Sequence, residues 1–369
     1  MKVSLFVNHR CNLRCVYCYN GQEFDRRMPW DIARRAIDFG FESSKKGFLL
    51  LSFFGGEPLL EIDLMEQAVD YAAAEAKRRE KRLFLSLSTN GTLLDNRRLD
   101  FLRRHDFNVQ VSFDGVAEAQ DTTRRFPNGN SSHRKVEAHV RQLVEAGFAL
   151  RVISVIDPRT VHLLGDSFEY LMDLKVPHIY FAPNYLGCWE DESCDRFEAA
   201  LADLGDRYVA RLRAGQDVRL DPINGKIVTH VVPGSSERVA CPFGVDEIAV
   251  SPTGRIYPCD RLVRQDDPNS EVCIGDLDRG IDSARRDAMV KAKNTCDPEC
   301  AACELRPRCM YWCGCANYET TGSPGKVSPL LCWFERCFIA EADRVAGLLF
   351  GEENPVFMRR FYRAKDGKR

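Results

Sequence analysis

Cysteine placement constrains this chain more than any other feature of its sequence. Cys11, Cys15 and Cys18 share one short segment, no cysteine lies between Cys18 and Cys188, and eleven of the sixteen fall between Cys241 and Cys337. A disulfide framework would not leave the middle of the chain uncrosslinked. The opening MKVSLFVNHRCN has only a short apolar run and no small-residue cleavage site, so it does not read as a secretion signal. Clustered cysteines in such a chain point to metal or redox work. The remaining composition is ordinary for a globular protein, with 44% hydrophobic and 29% charged residues. A net charge of −2 gives no broad footprint for nucleic acid. No apolar run approaches the roughly 20 residues that span a bilayer.

From residue 3 to about 215 short β-rich runs alternate with longer amphipathic ones. Strands are predicted at 3–7, 48–53, 83–87, 109–113, 150–156 and 178–181. Helices are predicted at 30–46, 61–80, 95–105, 132–147, 162–174 and 193–214. The strands read as apolar runs, as in a parallel sheet covered by helices. Their spacing is that of βα repeats. The expected fold is α/β, a partial (β/α)6 TIM-like barrel with its active residues at the C-terminal ends of the strands. The predicted division is a barrel over 1–215, a linker over 216–240, a small cysteine-rich domain over 241–345 and a C-terminal tail over 346–369, basic and solvated from Met358 onward. The linker reading rests on Gly215, Pro222, Gly225, Pro233 and Gly234-Ser235-Ser236. A domain with so little room for a core needs metal or disulfides. A helix at about 334–350 is predicted to close it.

Directly after the first predicted strand stands Cys11-Asn12-Leu13-Arg14-Cys15-Val16-Tyr17-Cys18, a CxxxCxxC segment. Thiolates are the usual ligands of a four-iron cluster, and three of them leave one iron open for a substrate. A structural zinc site wants a fourth ligand, and none lies nearby. The segment resembles the radical S-adenosylmethionine (SAM) superfamily. Gly55-Gly56-Glu57-Pro58 after the second strand is similar to the family's GGEP motif, whose backbone and Glu57 would hold the SAM amino group. Asn90 follows the third strand. The resemblance implies that Ser112, ending the fourth strand, lies near the SAM ribose and that Arg124 meets its carboxylate. It likewise implies that the Tyr17 backbone meets the adenine and that Leu186, after the sixth strand, offers it an apolar wall.

The later cysteines resemble the SPASM domain appended to radical SAM peptide- and protein-modifying enzymes. Cys241 precedes Gly254 and Cys259, and Cys300-x2-Cys303-x5-Cys309-x3-Cys313 is followed by Cys332. The resemblance implies two auxiliary clusters, hence three [4Fe–4S] clusters in all. One would take Cys241, Cys259 and Cys313; the other Cys300, Cys303, Cys309 and Cys332. Some relatives place a fourth ligand of the first set where this chain has Glu247, which leaves Cys273 or an open iron. Taken alone, Cys300–Cys313 also suits zinc; the company of the barrel motifs and of Cys241, Cys259 and Cys332 favours iron–sulfur. Cys188, Cys194, Cys296, Cys315 and Cys337 read as spare thiols. Asp260, next to Cys259, is similar to a proton acceptor of anaerobic sulfatase-maturating enzymes, or else a capping Asp.

The resemblance implies reductive cleavage of SAM to a 5′-deoxyadenosyl radical, which takes hydrogen from a peptide residue. The product would be a crosslink or oxidation in a ribosomally made precursor peptide. The alternative is a sulfatase maturase forming formylglycine from Ser or Cys. A non-catalytic iron–sulfur carrier or scaffold and an oxidase of small molecules are further readings. Because the barrel strand begins at Val3, no leader-binding domain is expected ahead of it, and a separate leader-binding protein is an expected partner. A flavodoxin or ferredoxin is the expected electron donor, and the expected location is cytoplasmic.

Overall fold

The computed structural model describes residues 1–21, 24–232 and 241–362. In chain order its main elements are β1 (Lys2–Phe6), α1 (Trp30–Ser43), β2 (Phe48–Phe54), α2 (Ile62–Arg78), β3 (Arg82–Thr89), α3 (Asn96–Arg104) and β4 (Asn108–Ser112). Next come α4 (Ala117–Thr123), α5 (His133–Glu145), β5 (Leu150–Ile156), α6 (Leu164–Asp173), β6 (His178–Pro183), α7 (Asp191–Arg213), β7 (Arg219–Asp221) and α8 (Ile223–Val231). The last part holds β8 (Glu247–Val250), β9 (Arg255–Tyr257), β10 (Gly275–Asp276), β11 (Gly280–Ile281), α9 (Ser283–Asn294), α10 (Gly314–Thr321), α11 (Pro329–Gly351) and α12 (Pro355–Phe361). All six predicted strands and all six predicted helices of the first part are present. The chain forms two compact units. The first comprises Met1–Ser112, Arg124–Leu150 and Pro242–Asn294; the second comprises Phe113–Thr123, Arg151–Cys241 and Thr295–Arg369.

In the first unit the strands run in the order β11-β10-β9-β8-β1-β2-β3-β4. β8, β1, β2, β3 and β4 are parallel, while β9, β10 and β11 fold back antiparallel at the edge. The register sorts the side chains by face. Leu5, Phe53, Leu87 and Val109 form one lateral row, all buried, and the adjacent row is Ser4, Ser52, Ser86 and Asn108. The strands therefore alternate at these rows, one face apolar and the other carrying a row of polar side chains between Leu50 and Phe54, where continuous apolar runs were predicted. Helix α1 packs on the apolar face so closely that a Cβ at Gly40 would lie 2.8 Å from Val3. Period-two alternation puts successive residues on opposite faces, so a polar second face signals a sheet with helices on one side only.

The second unit has the parallel strands β5, β6 and β7. Its helices are well punctuated. Ser328 caps α11 by accepting from the Leu331 amide at 3.2 Å, and Pro329 fills the first turn, where no amide donor is missed. An aromatic group formed by Trp189, Phe197, Trp333, Phe334 and Phe338 packs α7 against α11.

Two boundaries differ from expectation. Part of the predicted linker is folded: β7 pairs with β6, and Ile223 and Ile227 of α8 are buried. Pro233 and Gly234-Ser235-Ser236 lie outside the described residues. The predicted tail is folded as far as α12, because Val356, Phe357 and Phe361 are buried and Asn354 caps the helix through the amides of Val356 and Phe357. Arg359 and Arg360 pair with Asp217; residues 363–369 lie outside the described residues. No helix among the described residues is long and apolar enough to cross a membrane.

Candidate active site

The C-terminal ends of β1 to β4 lie along one edge of the first unit, and the predicted motif residues stand there. The loop after β1 carries Cys11, Cys15 and Cys18. It is tied to the turn after β2 by backbone bonds, Gly56 N–H to Asn8 carbonyl at 2.9 Å and Glu57 N–H to Arg10 carbonyl at 2.8 Å. Only glycine fits at this crossing, since a Cβ at Gly56 would lie 2.1 Å from the Arg10 carbonyl oxygen. Gly55 adopts φ +145°, with the Asn8 carbonyl 2.5 Å from where a Cβ would stand. From the end of β3, the Asn90 side chain donates to Asn12 at 2.8 Å and reaches the Cys11 sulfur at 3.6 Å. Asn12 in turn donates to Thr92 at 2.8 Å.

Arg124 belongs to this unit although its neighbours 113–123 do not. It pairs with Cys15 in a two-residue antiparallel ladder. Its guanidinium lies 3.6 Å from the Cys15 sulfur, bonds the Tyr17 hydroxyl and rests over the Tyr17 ring. Cys11, Cys15, Cys18, His9 and Gly56 line one cavity of about 580 Å³. Three soft thiols and Gly56 in one lining, with the Arg124 guanidinium at the Cys15 sulfur, form a donor set that fits an open-iron cluster with an anionic ligand.

The Glu57 side chain points inward. Its carboxylate is fully buried and accepts from the Leu59 amide at 3.0 Å, the Thr89 hydroxyl at 2.7 Å and the Asn90 amide at 2.7 Å. Burial raises its pKa above the ordinary carboxyl value, with those three donors opposing the shift. Its oxygens join β2 to β3 inside the protein, so the side chain acts as a strut, and Gly56 is the motif residue in the cavity wall. In the second unit Asp114 is placed similarly. It accepts from the Val155 amide at 2.9 Å and the Thr123 hydroxyl at 2.6 Å. Ser112 ends β4, half-buried, in the first unit. Leu186 is in the second unit, in a turn, with 51% of its surface exposed.

Asp260 sits on the polar face of the first unit's sheet. It accepts from the Ser4 hydroxyl at 3.0 Å and lies 3.6 Å from the Lys2 ammonium, which also bonds Glu247 at 2.6 Å. Burial alone would lower the Lys2 pKa, but Asp260 and Glu247 together raise it. Glu247, which stands where some relatives have a cysteine, is thus an ion-pair partner.

Sequence reasoning missed the residues that follow Asp260. The Arg264 carbonyl bonds His9 Nε2 at 2.9 Å, and the Arg261 guanidinium covers the Tyr19 ring at 4.5 Å. The 260–264 turn therefore packs directly on the first cysteine loop. Only the nearness of Arg261 and Arg264 to Cys259 could have hinted at this.

The sixteen cysteines are all free of disulfides. Cys300, Cys303, Cys309 and Cys332 line a single cavity in the second unit together with Tyr311 and Glu335. Burial, reinforced by Glu335, pushes the Cys309 thiol well above its ordinary pKa. Of the other predicted set, Cys241 and Cys313 belong to the second unit and Cys259 to the first. Cys273 is buried and its thiol donates to the Gly275 carbonyl at 3.3 Å, while Cys315 lies 3.6 Å from Cys313, sulfur to sulfur. Among the described residues no three His, Cys, Asp or Glu side chains are gathered as a single-ion site.

The sequence profile of the Radical SAM superfamily matches residues 5–171. PqqA peptide cyclase of Bradyrhizobium diazoefficiens is 25% identical over 98% of this chain and 93% of its own length. A cysteine-type anaerobic sulfatase-maturating enzyme of Clostridium novyi is 21% identical over 83% of this chain and 86% of its own. An uncharacterised protein of Methanocaldococcus jannaschii is 28% identical over 48% of this chain, and this chain spans only 60% of that protein. The solved structure of native anSMEcpe with bound AdoMet and Cp18Cys peptide shares the fold, with a TM-score of 0.78 at 19% identity, covering 95% of this chain and all of that one. That profile falls on the βα units that carry the cysteine loop and the Gly55-Gly56 turn, so residues 5–171 are similar to a radical SAM domain.

Proposed function

We propose that this protein binds SAM and a four-iron cluster at Cys11, Cys15 and Cys18 and modifies a side-chain carbon of a ribosomally made peptide. The observation that carries the reading is the shared cavity of those three cysteines, with Gly56 in its lining and the Arg124 guanidinium at the Cys15 sulfur. The near full-length similarity to a peptide cyclase supports the substrate class. When bound, the cluster and SAM supply the one-electron chemistry. The chain's own residues hold and orient: Asn90 fixes the Cys11 end of the loop, Arg124 fixes Cys15 and presents a cation to an anionic group, and Gly56 keeps the wall open. Two auxiliary clusters complete the proposal. Cys300, Cys303, Cys309 and Cys332 hold one. Cys241, Cys259 and Cys313 hold the other on sequence grounds. Ser112 and Leu186 remain proposed SAM contacts, with a flavodoxin or ferredoxin as electron donor and a separate leader-binding protein as partner.

The placement of Asp260 favours a second reading, formylglycine formation in a sulfatase. Its carboxylate, anchored by Ser4 and Lys2 on the polar face, suits a proton acceptor.

The test is anaerobic reconstitution with iron and sulfide, then dithionite and SAM. About twelve irons per chain, four per cluster, and 5′-deoxyadenosine that disappears in Cys15→Ala are expected. A fully loaded protein that yields no deoxyadenosine, with or without candidate peptides, would overturn the proposal. Aldehyde formation on a sulfatase-derived Cys or Ser peptide, lost in Asp260→Asn, would select the second reading.

A further inference from the structure

The second unit buries a complete ion pair beside its cysteine cavity. Lys226 of α8 is 7% exposed and Glu335 of α11 is 4% exposed, and the Lys226 ammonium donates to Glu335 Oε2 at 2.5 Å. The pair grips both sides of one cysteine. Lys226 also donates to the Arg308 carbonyl at 2.9 Å, and the Met310 amide donates to the same Glu335 oxygen at 2.5 Å, so the residues on either side of Cys309 are held from opposite ends of the pair. Glu335 also stands one helical turn beyond Cys332, which brings the two side chains onto one face of α11. Glu335 lines the cavity; Lys226 lies outside its wall. The wall's other charged residues are Arg306 and Arg336.

Burying two opposite charges is costly, and apolar replacement of such a pair is often neutral or stabilising. Packing alone therefore gives no reason for these two residue types. Their arrangement does supply an oriented field, with the negative end in the wall and the positive end behind it. A thiolate-bound iron cluster gains one negative charge on reduction, and charge and hydrogen bonding around the sulfurs set its potential.

Resting on the iron–sulfur reading of this site, we propose that the Lys226–Glu335 pair positions Cys309 against Cys332 and sets the reduction potential of the cluster held by Cys300, Cys303, Cys309 and Cys332. Glu335 is the unfavourable neighbour of the added electron and holds the potential low. Lys226 holds that carboxylate in place. The pair is a positioning device and touches no substrate.

Reconstituted full-length protein, its Glu335→Gln variant and the charge-swapped variant Lys226→Glu/Glu335→Lys would be titrated with dithionite under redox mediators and followed by electron paramagnetic resonance. Glu335→Gln keeps a group able to accept from Met310 and leaves Lys226 uncompensated. The midpoint of one cluster signal is expected to rise by at least a tenfold change in its reduction equilibrium, about 59 mV for one electron. The swapped pair, net neutral and still paired, is expected to move the same signal in the same direction. Parental midpoints in either variant with parental iron content would overturn the inference. Should Glu335→Gln not load iron, the swapped pair decides alone. Cys303→Ser/Cys332→Ser serves as the control for the underlying reading. Loss of about four irons and of that signal upholds it, whereas unchanged iron content removes the cluster itself and the inference with it.

Discussion

The two cysteine sites are built in opposite ways. The first is a loop laid across the ends of parallel strands. Its positions are fixed by neutral donors from the scaffold, namely the Asn90 side chain and the backbone of Gly56 and Glu57, with Arg124 as the cation at the Cys15 sulfur. The second site has little regular structure between Cys300 and Cys313 beyond short helical turns at Pro298–Ala301 and Arg306–Arg308. Its fixed points are a buried ion pair and one face of α11. A site on strand ends inherits rigidity from the sheet; a site made of turns needs its bound group to become rigid.

The largest expected effect tests that contrast directly. Anaerobic chelation of iron should release hydrogen-exchange protection in residues 295–313 by orders of magnitude while β1 to β4 stay protected, since a metal-stapled segment loses its folding energy with the metal. Equal loss in both regions, or in neither, would erase the distinction. Next in size is Gly56→Ala. The added methyl meets the Arg10 carbonyl at 2.1 Å, so the turn and the cysteine loop must part. A stability loss of about 2–4 kcal/mol in thermal or denaturant unfolding is expected, with iron lost from the first site alone. The smallest effect compares the two struts. Glu57→Gln and Asp114→Asn each exchange one acceptor oxygen for a donor facing donors, at about 1–3 kcal/mol. Glu57→Gln should also weaken SAM binding because Glu57 holds the Asn90 amide, whereas Asp114→Asn should leave iron at Cys11, Cys15 and Cys18 untouched.

The elements of the first part were legible because hydrophobic period and turn residues are local signals, and the cysteine loop was legible because its spacing is chemistry in itself. Long-range facts were hidden. The alternation of β2 is masked in sequence by Leu50 and Phe54, which share the face of Ser52. Nothing local marks residues 242–294 as part of the first unit; β8 is placed there by pairing with β1. Lys226 falls in the stretch read as a linker, and nothing local marks Glu335 as a buried charge. Glu57 carries a motif whose family role suggests ligand contact, yet its burial depends on Thr89 and Asn90 more than thirty residues away.

The pairing of β1 with β8 also bears on the order of synthesis. β1 leaves the ribosome before β8, yet β8 is one of its two neighbours, and the Lys2–Glu247 contact between them spans 245 residues. Until then the strand carries an open row of amide and carbonyl groups on that side, the kind of edge that recruits other chains. The nascent first unit must therefore wait, with β1 half paired, until the chain has been made as far as β8. Contacts of such long reach slow folding. The residue that closes the wait is Glu247, where some relatives place a cluster ligand and this chain places the partner of its own second residue.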